Sequence, residues 1–548
     1  MFNLKSIYFY FLAIQITLIK FFKKIYFSTN YYNASLISKT PQQFYFNPNP
    51  FLLSLITVFK KNIFKINEID PNLFWIKQKN TQEEKEIHSF LWLSLVDRKS
   101  DGKVLRRIIN IWMLKHSKYK RNIWESSILS KRVISWILNV DIILNNSSFD
   151  FKQNFLNSII AQTNHLKKNI KFETDYSKRV EILAAISLSG LVFKEYFQNY
   201  DVGIKELEKL VKNYFDYDGF PLTRNPSDLV FFLKNILLIK ECIKDAQQYI
   251  PEFLDSIIEK NVICIKHILT PDDNVPFFNG GTQENLEELK KFTNDIKYKL
   301  KEKKRFVGGI CIINTKNNAI FFDTGDPPKK NFSKSYQSGP LSFEFYLDGK
   351  KIITNCGFGS NISAKAELLS RLTSAQSTLT LNDTSVTKFE RNKTINKIFG
   401  NSIKDSFKVS NIDIIDDADR TKMIASHNGY EKKFGCIHKR QVTIDKKTQD
   451  LIGRDELIKE KDGKPLNYNI RFHLYPGLTA VKTMGGNSVL IQLTKNKSLI
   501  FTIKDEFITL EKSIFLGGNK ILENTCVTVS GNLVNKDKII HWELKKNI

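Results

Sequence analysis

The chain has little of three things: paired cysteine, negative charge and long apolar runs. Its six cysteines (Cys242, Cys264, Cys311, Cys356, Cys436 and Cys526) stand singly, with no C-x-x-C pair among them. That spacing argues against a zinc site or a disulfide framework and for structural thiols, although an even number permits an oxidised pair. Zinc-finger spacing, an RNA-binding aromatic signature and a basic helix with heptads are all missing, so nucleic acid is not expected as a partner. No cofactor is expected either. Acidic residues number 57 against 83 Lys and Arg, a formal charge of +26 with a pI near 9.5. Such an excess attracts polyanions: nucleic acid, anionic membrane or acidic polysaccharide. The cations are mostly lysines scattered among Asn, Ile and Phe, so a plain solvated basic surface competes with a polyanion groove.

The apolar stretch nearest the N-terminus occupies residues 7–19, between Lys5 and Lys20, with Gln15 and Thr17 inside it and Lys23 and Lys24 following. At 13 residues it is short for a bilayer span, and no small-residue cleavage site follows it. A degenerate export signal and an uncleaved amphipathic segment in peripheral contact with a membrane both fit. Either favours the periplasm or cell envelope over the cytoplasm.

What is present is the composition of a globular protein. Hydrophobic residues make up 42% and charged residues 26% of 548, which excludes disorder and implies more than one domain. From about residue 86 to 300, apolar residues recur at helical spacing with almost no Gly or Pro inside the runs. Helices are expected at 128–144, 152–168, 179–197, 202–215, 227–246 and 250–268, joined by short polar breaks that favour antiparallel packing. No fixed-period repeat appears, which favours a closed toroid over a solenoid. After the charged run 290–305, short alternating segments begin. Strands are expected at Phe306–Asn314, Ala319–Thr324, 341–347, 351–356, 377–381, 439–445, 468–475, 487–494 and 524–531, the pattern of an antiparallel sandwich. The domains so read are 1–85, an undefined segment with membrane association in view; 86–300, helical; and 301–548, β.

Ordered stretches across both parts resemble the heparinase II/III family: HSFLWLSLVDRK (88–99), SKRVISW (130–136), YDGFPLTRNP (217–226), VPFFNGG (275–281), FFDTGDPP (321–328), GPLSFEFYLDGKKIITNCG (339–357), RLTSAQSTLTLNDTS (371–385), HNGYEKKFGCIHKR (427–440) and RFHLYPG (471–477). The resemblance implies an incomplete α/α toroid followed by a β-sandwich. In characterised members it implies cleavage of uronic-acid polysaccharides by β-elimination. That chemistry requires neutralisation of the sugar carboxylate, a base for the C5 proton and an acid for the leaving oxygen. Some members also hold a structural zinc ion.

Carried over position by position, the resemblance meets substitutions. Where family lyases place an Asn-His pair before a toroid helix, this chain has Ser177, Lys178 and Arg179. Lys178 or Arg179 can still offset a carboxylate, or can simply be surface charge at a helix start. The comparison for the lyase Tyr falls at Asp228, with no Tyr nearby. Arg224 and Asn225 are the best toroid contacts for an anionic sugar, with helix capping as the competing role for Asn225. The family's H-x-H aligns with Ser335 and Gln337, leaving Tyr336 as the positional candidate for a base, with Lys334 and Arg371 to supply cationic charge. The zinc-ligand positions hold Gln337, Asn355 and Gln376. Amides are poor zinc donors, so no metal is expected there. The three amides suit either a network that keeps their strands in register or a sugar-binding surface. His427, His438 and His473 fall in family-like β segments, where packed histidines are commoner than catalytic ones. The function the resemblance implies is action on an acidic polysaccharide as a lyase, by β-elimination through a rewritten site; the alternative is a non-catalytic glycan-binding or cell-envelope polysaccharide assembly protein on the same scaffold.

Overall fold

The computed structural model describes residues 4–37, 39–57, 70–75, 81–99, 102–294, 304–459, 464–534 and 537–547. Its contacts divide the chain into two compact units. One comprises Met1–Phe215, Phe231–Val262 and Glu287–Lys297; the other comprises Asp216–Val230, Ile263–Leu286 and Tyr298–Ile548. The first unit is helical and the second is built on antiparallel sheets.

In the helical unit, capping sets the element ends. Glu125 accepts from the Ser127 and Ile128 amides to start the helix Ser126–Leu138. The run 128–144, expected as one rod, breaks at Asn139, whose side-chain amide bonds back to the Ser135 carbonyl. A short helix, Val140–Leu144, then follows. Asp175 caps Tyr176–Val192 by accepting from the Ser177 and Lys178 amides. Every residue of that helix from Val180 to Val192 is buried, as expected of a helix that is apolar all round and central to its unit. Further helices occupy Phe149–Asn169 and Gln198–Tyr214 and pack against it. The helix Leu4–Phe27 covers the apolar stretch noted near the N-terminus. Among the described residues no helix is long and apolar enough to cross a membrane.

The second unit contains, among the described residues, a nine-stranded and an eight-stranded sheet. The first runs Phe306–Val307, Ile310–Asn314, Asn318–Asp323, Phe343–Leu347, Lys350–Thr354, Leu466–Leu474, Leu522–Leu533, Phe507–Phe515, with Leu379–Leu381 also paired to Leu466–Leu474. The second runs Thr479–Lys482, Ser488–Thr494, Lys497–Ile503, Lys538–Asn547, Leu451–Lys459, Cys436–Asp445, Arg420–Tyr430, Val409–Asp416. The expected strand 306–314 is split by a Gly308-Gly309 turn. Both sheets bury apolar faces in one core. Trp542 joins them, stacked on Phe343 at 5.7 Å and edge-on to Phe472 at 4.8 Å. Its cross-strand partner is Gly453, where an added Cβ would lie 1.9 Å from the indole. All six cysteines are free and buried.

Candidate functional site

Two connecting segments, 216–226 and 275–282, fold onto the first sheet as parts of the second unit. Arg224 anchors the first. It adopts a left-handed backbone (φ 58°), a conformation that costs a non-glycine residue about 1–2 kcal/mol. Every guanidinium nitrogen is bonded. Nε donates to the Gly308 carbonyl, Nη1 to those of Gly325 and Asp326, and Nη2 to the Gly309 carbonyl and to Asp323 at 2.5 Å. A side chain so consumed is a strut; as a sugar contact Arg224 has no nitrogen left to offer. Asn225 accepts from the Ser227 amide at 2.9 Å, at the start of the helix Pro226–Asp245. Capping is therefore its observed role.

The segment 275–282 is stitched down residue by residue. The Phe277 amide donates to Glu344 at 3.2 Å, the Gly280 amide to Gln337 at 3.0 Å and the Thr282 amide to Ser227 at 3.0 Å. Gly280 has φ 108°, and a Cβ there would lie 2.6 Å from the Asn225 amide nitrogen and 2.7 Å from Ser335 Cβ, so the position admits glycine alone. Glu344 is fully buried beside Lys351, 3.2 Å away, whose ammonium also lies 3.6 Å from the Phe277 ring centre.

The three amides come together, though by shared partners more than by bonding one another. Gln337 and Gln376 both donate to the Ser370 carbonyl at 2.7 Å, and both approach Cys356 Sγ, at 3.8 and 3.7 Å. Asn355 accepts from the Ser377 amide at 2.9 Å, next to Gln376. All three are buried. They tie connecting segments together rather than holding paired strands in register: Gln337 joins Gly280, Gly357 and Ser370, Gln376 joins Ser370, and Asn355 with Ser377 sits beside the ends of Lys350–Thr354 and Leu379–Leu381. The arrangement does not suit zinc: amides are poor zinc donors, and two of the three amide oxygens, those of Gln337 and Asn355, already accept backbone amides. Nor do they line a sugar surface, because none is exposed.

Tyr336 is wholly buried. Burial, with the charge of Asp323 adding to it, pushes its phenol above its ordinary range. A base needs the opposite shift, which corrects the expectation that this Tyr is poised to take a proton. Arg371, expected to supply it with positive charge, instead donates to the Tyr336 and Ser333 carbonyls at 2.8 and 2.9 Å and lies over Phe389, 4.0 Å from its ring centre. It fixes the backbone around Tyr336.

Lys178 and Arg179 belong to the helical unit. Lys178 is paired with Glu125. Burial favours its neutral form, yet the carboxylate outweighs this and raises its pKa. Arg179 lies 4.0 Å from Glu206 and over Tyr176. Both charges are answered from within the unit.

The histidines of the β segments form a chain that sequence reasoning missed. The Gly429 amide donates to His427 Nδ1 at 3.1 Å, which leaves Nε2 of His427 to donate to His438 Nδ1 at 3.2 Å. His438 Nε2 then donates to Asp455 at 2.7 Å. The direction of each bond follows from the first, and it makes both rings neutral. Burial lowers both pKa values, for His438 against the pull of Asp455. Asp455 also accepts from Arg440 at 2.7 and 3.2 Å and from the Trp542 indole at 2.9 Å. Burial alone would favour its neutral acid, but Arg440 and His438 hold it below the usual carboxylate range. The signal was period two: His438, Arg440, Val442 and Ile444 share one face of Cys436–Asp445, and that face is buried. His473 is likewise buried, between Ser513 and the Ser374 carbonyl, and its pKa falls to about 4.

What faces solvent near Ser335 is basic. The excursion 388–408 carries Lys388, Arg391, Lys393, Lys397, Lys404 and Lys408 against Glu390 and Asp405. It packs on residues 330–335: the Ile403 amide donates to Ser333 at 3.0 Å, and a Cβ at Gly400 would meet the Lys334 stem at 2.7 Å. Lys388, Arg391, Lys393, Lys404 and Lys408 are exposed, as is Lys334, while Ser335 is half-buried.

Residues 301–543 match the family described as "Heparinase II/III-like, C-terminal". Over 493 residues the chain is 22% identical to FtsZ-localized protein C of Caulobacter vibrioides, covering 84% of this chain and 81% of that one. Among solved structures it is similar to the heparan sulfate lyase HepC from Pedobacter heparinus, with a TM-score of 0.62 at 16% identity, covering 94% of this chain and 87% of HepC. It is also similar to heparinase III, with a TM-score of 0.64 at 15% identity, covering 85% and 76%. At these identities the structural likeness is one of fold.

Proposed function

We propose, from the premise that this chain carries a heparinase II/III-like C-terminal domain on a heparinase-type fold, that it binds an acidic, uronic-acid-containing polysaccharide without cleaving it. The observation that carries this reading is the pairing of a basic surface, Lys334 with the excursion 388–408, of which Lys404 and Lys408 are ion-paired with Glu390 and Asp326, with the loss of both imidazoles of the family's H-x-H beside it. Where family lyases have an H-x-H, this chain has a half-buried Ser335 and a buried, bonded Gln337. A line of ammonium groups suits a repeating carboxylate. Elimination would also need a group able to take the C5 proton, and Tyr336 is held protonated by burial. The relative's printed name ties it to FtsZ, which supports a place at the cell envelope for this chain as well.

The lyase names of the structural neighbours keep elimination as the second reading. Incubation with a panel of uronate polysaccharides separates the two, by binding in one measurement and absorbance of the unsaturated uronate product in another. Binding with no absorbance change is expected. Changing Lys393→Glu together with Lys397→Glu should weaken binding about tenfold at low salt. A rise in absorbance ends the non-cleaving reading, and absence of binding across the panel ends both.

A further inference from the structure

The helix Leu4–Phe27 is apolar on two opposite sides, and the protein covers only one. On the covered side, Ala13 is fully buried. Lys23 donates to Asn169 at 3.2 Å with its ammonium 3.0 Å from the Phe172 ring centre, and Phe27 packs on Tyr32, Tyr119 and His165. Half a turn away, Tyr8, Phe11, Leu18, Phe22 and Ile25 are 52–65% exposed. Soluble proteins seldom leave so many large apolar side chains together in water.

We propose that this outer face docks the protein on an anionic lipid bilayer. Three observations select a bilayer over a partner helix. The first is width. With 3.6 residues per turn, Phe11, Leu18, Phe22 and Ile25 fall within about 60° of one another, and Tyr8, Tyr10, Phe21 and Tyr26 extend the exposed face to about 160°. A coiled-coil seam is a narrower stripe, whereas a helix lying in a lipid interface presents a broad one. The second is composition, since six of those eight side chains are aromatic, the type favoured where headgroups meet acyl chains. The third is charge. The helix contains no Asp or Glu, and the exposed Lys24 lies about 40° beyond one edge of the apolar face, where its long stem reaches lipid phosphates. The helix is not a span, as no described helix is long and apolar enough to cross. It lies flat, with one side on the protein and the other in lipid. The proposal stands apart from the glycan reading.

The test is co-sedimentation of the full chain with vesicles of phosphatidylcholine alone and of phosphatidylcholine mixed with phosphatidylglycerol. Binding to the mixed vesicles, weakened by salt, is expected. The combined changes Phe11→Ser, Leu18→Ser and Phe22→Ser should reduce it at least about tenfold. Because they alter only the outer face, circular dichroism and the melting temperature should hold. Lys24→Glu should weaken the preference for the anionic vesicles. Undiminished binding by the serine variant overturns the proposal. So does failure of the parent chain to bind, including the case in which sedimentation velocity finds a dimer that the serine variant dissolves, since the face then belongs to a second copy.

Discussion

Three arginines are completely buried, Arg132 in the helical unit and Arg371 and Arg440 in the sandwich, and Arg440 and Arg132 are accommodated in different ways. Arg440, in the sandwich, faces Asp455 with two charge-assisted bonds and gives its remaining donors to the Leu341 and Ser377 carbonyls. Arg132, in the helical unit, is hydrogen-bonded by neutral groups: Gln162 at 2.6 Å and the His88 and Ile123 carbonyls at 2.7 and 3.1 Å, with the Trp112 ring 4.4 Å beneath it. Burial lowers its pKa well below the ordinary guanidinium range. A buried cation can thus be held by a counter-charge or by dipoles and a ring face, and the two solutions should fail differently when disturbed.

The largest expected effect is of acid, and it reaches both units. His88 and His165 in the helical unit are pushed down to about 3, and His473 in the sandwich to about 4, each chiefly by burial. Their folded values lie below the unfolded value near 6.5, so the unfolded chain takes up more protons below that point. Their contribution is intact above pH 6.5 and lost as pH falls toward 4, at about 1.4 kcal/mol per unit for each histidine, or roughly 4 for the three. Urea midpoints measured between pH 7 and 4.5 should fall steeply; a flat profile would show that the rings are already charged in the folded state.

Next is Asp455→Asn, which keeps the shape and leaves Arg440 without its counter-charge. A loss of about 3–5 kcal/mol in denaturant unfolding is expected. Arg132→Met should cost less, about 1–3 kcal/mol, because the acceptors left unpaired are offset by relief of a buried charge. An equal loss at the two sites would erase the distinction drawn between them. Smallest is Gln337→Ala, which strands the Gly280 amide and should cost about 1–2 kcal/mol. Without that bond, hydrogen exchange at Gly280 should accelerate while exchange in the sheet cores does not.

The same contrast bears on what could be read beforehand. The switch from helices to strands near residue 300 was legible because the apolar period changes from 3.6 to 2. The break at Asn139 was not, since apolar residues continue on both sides, and Asn139 leaves the helical backbone there with both its backbone N–H and its side-chain amide on the Ser135 carbonyl. The resemblance located the amide cluster, and Gln337, Asn355 and Gln376 do meet around Ser370 and Ser377. The closure of Arg224 was hidden. Its acceptors come from Gly308, Gly309, Asp323, Gly325 and Asp326, far along the chain, and glycines carry no chemical label of what they will face. Tyr336 was misjudged for a similar reason: position in a motif says nothing of burial.

Arg224 and Asp323 are 99 residues apart, and this separation has a bearing on synthesis. The loop 216–226 and the segment 275–282 leave the ribosome before the sheet that receives them exists. Until Asp323 and the glycine turns emerge, a left-handed arginine and the Gly280 amide have no partners, and the helices already made cannot finish their connections. A gene cut near codon 300 would therefore yield an N-terminal piece with unsatisfied loops and a C-terminal piece missing the segments that cover its sheet. Co-expression of the two halves, with recovery of a complex that neither half forms alone, is what that dependence predicts.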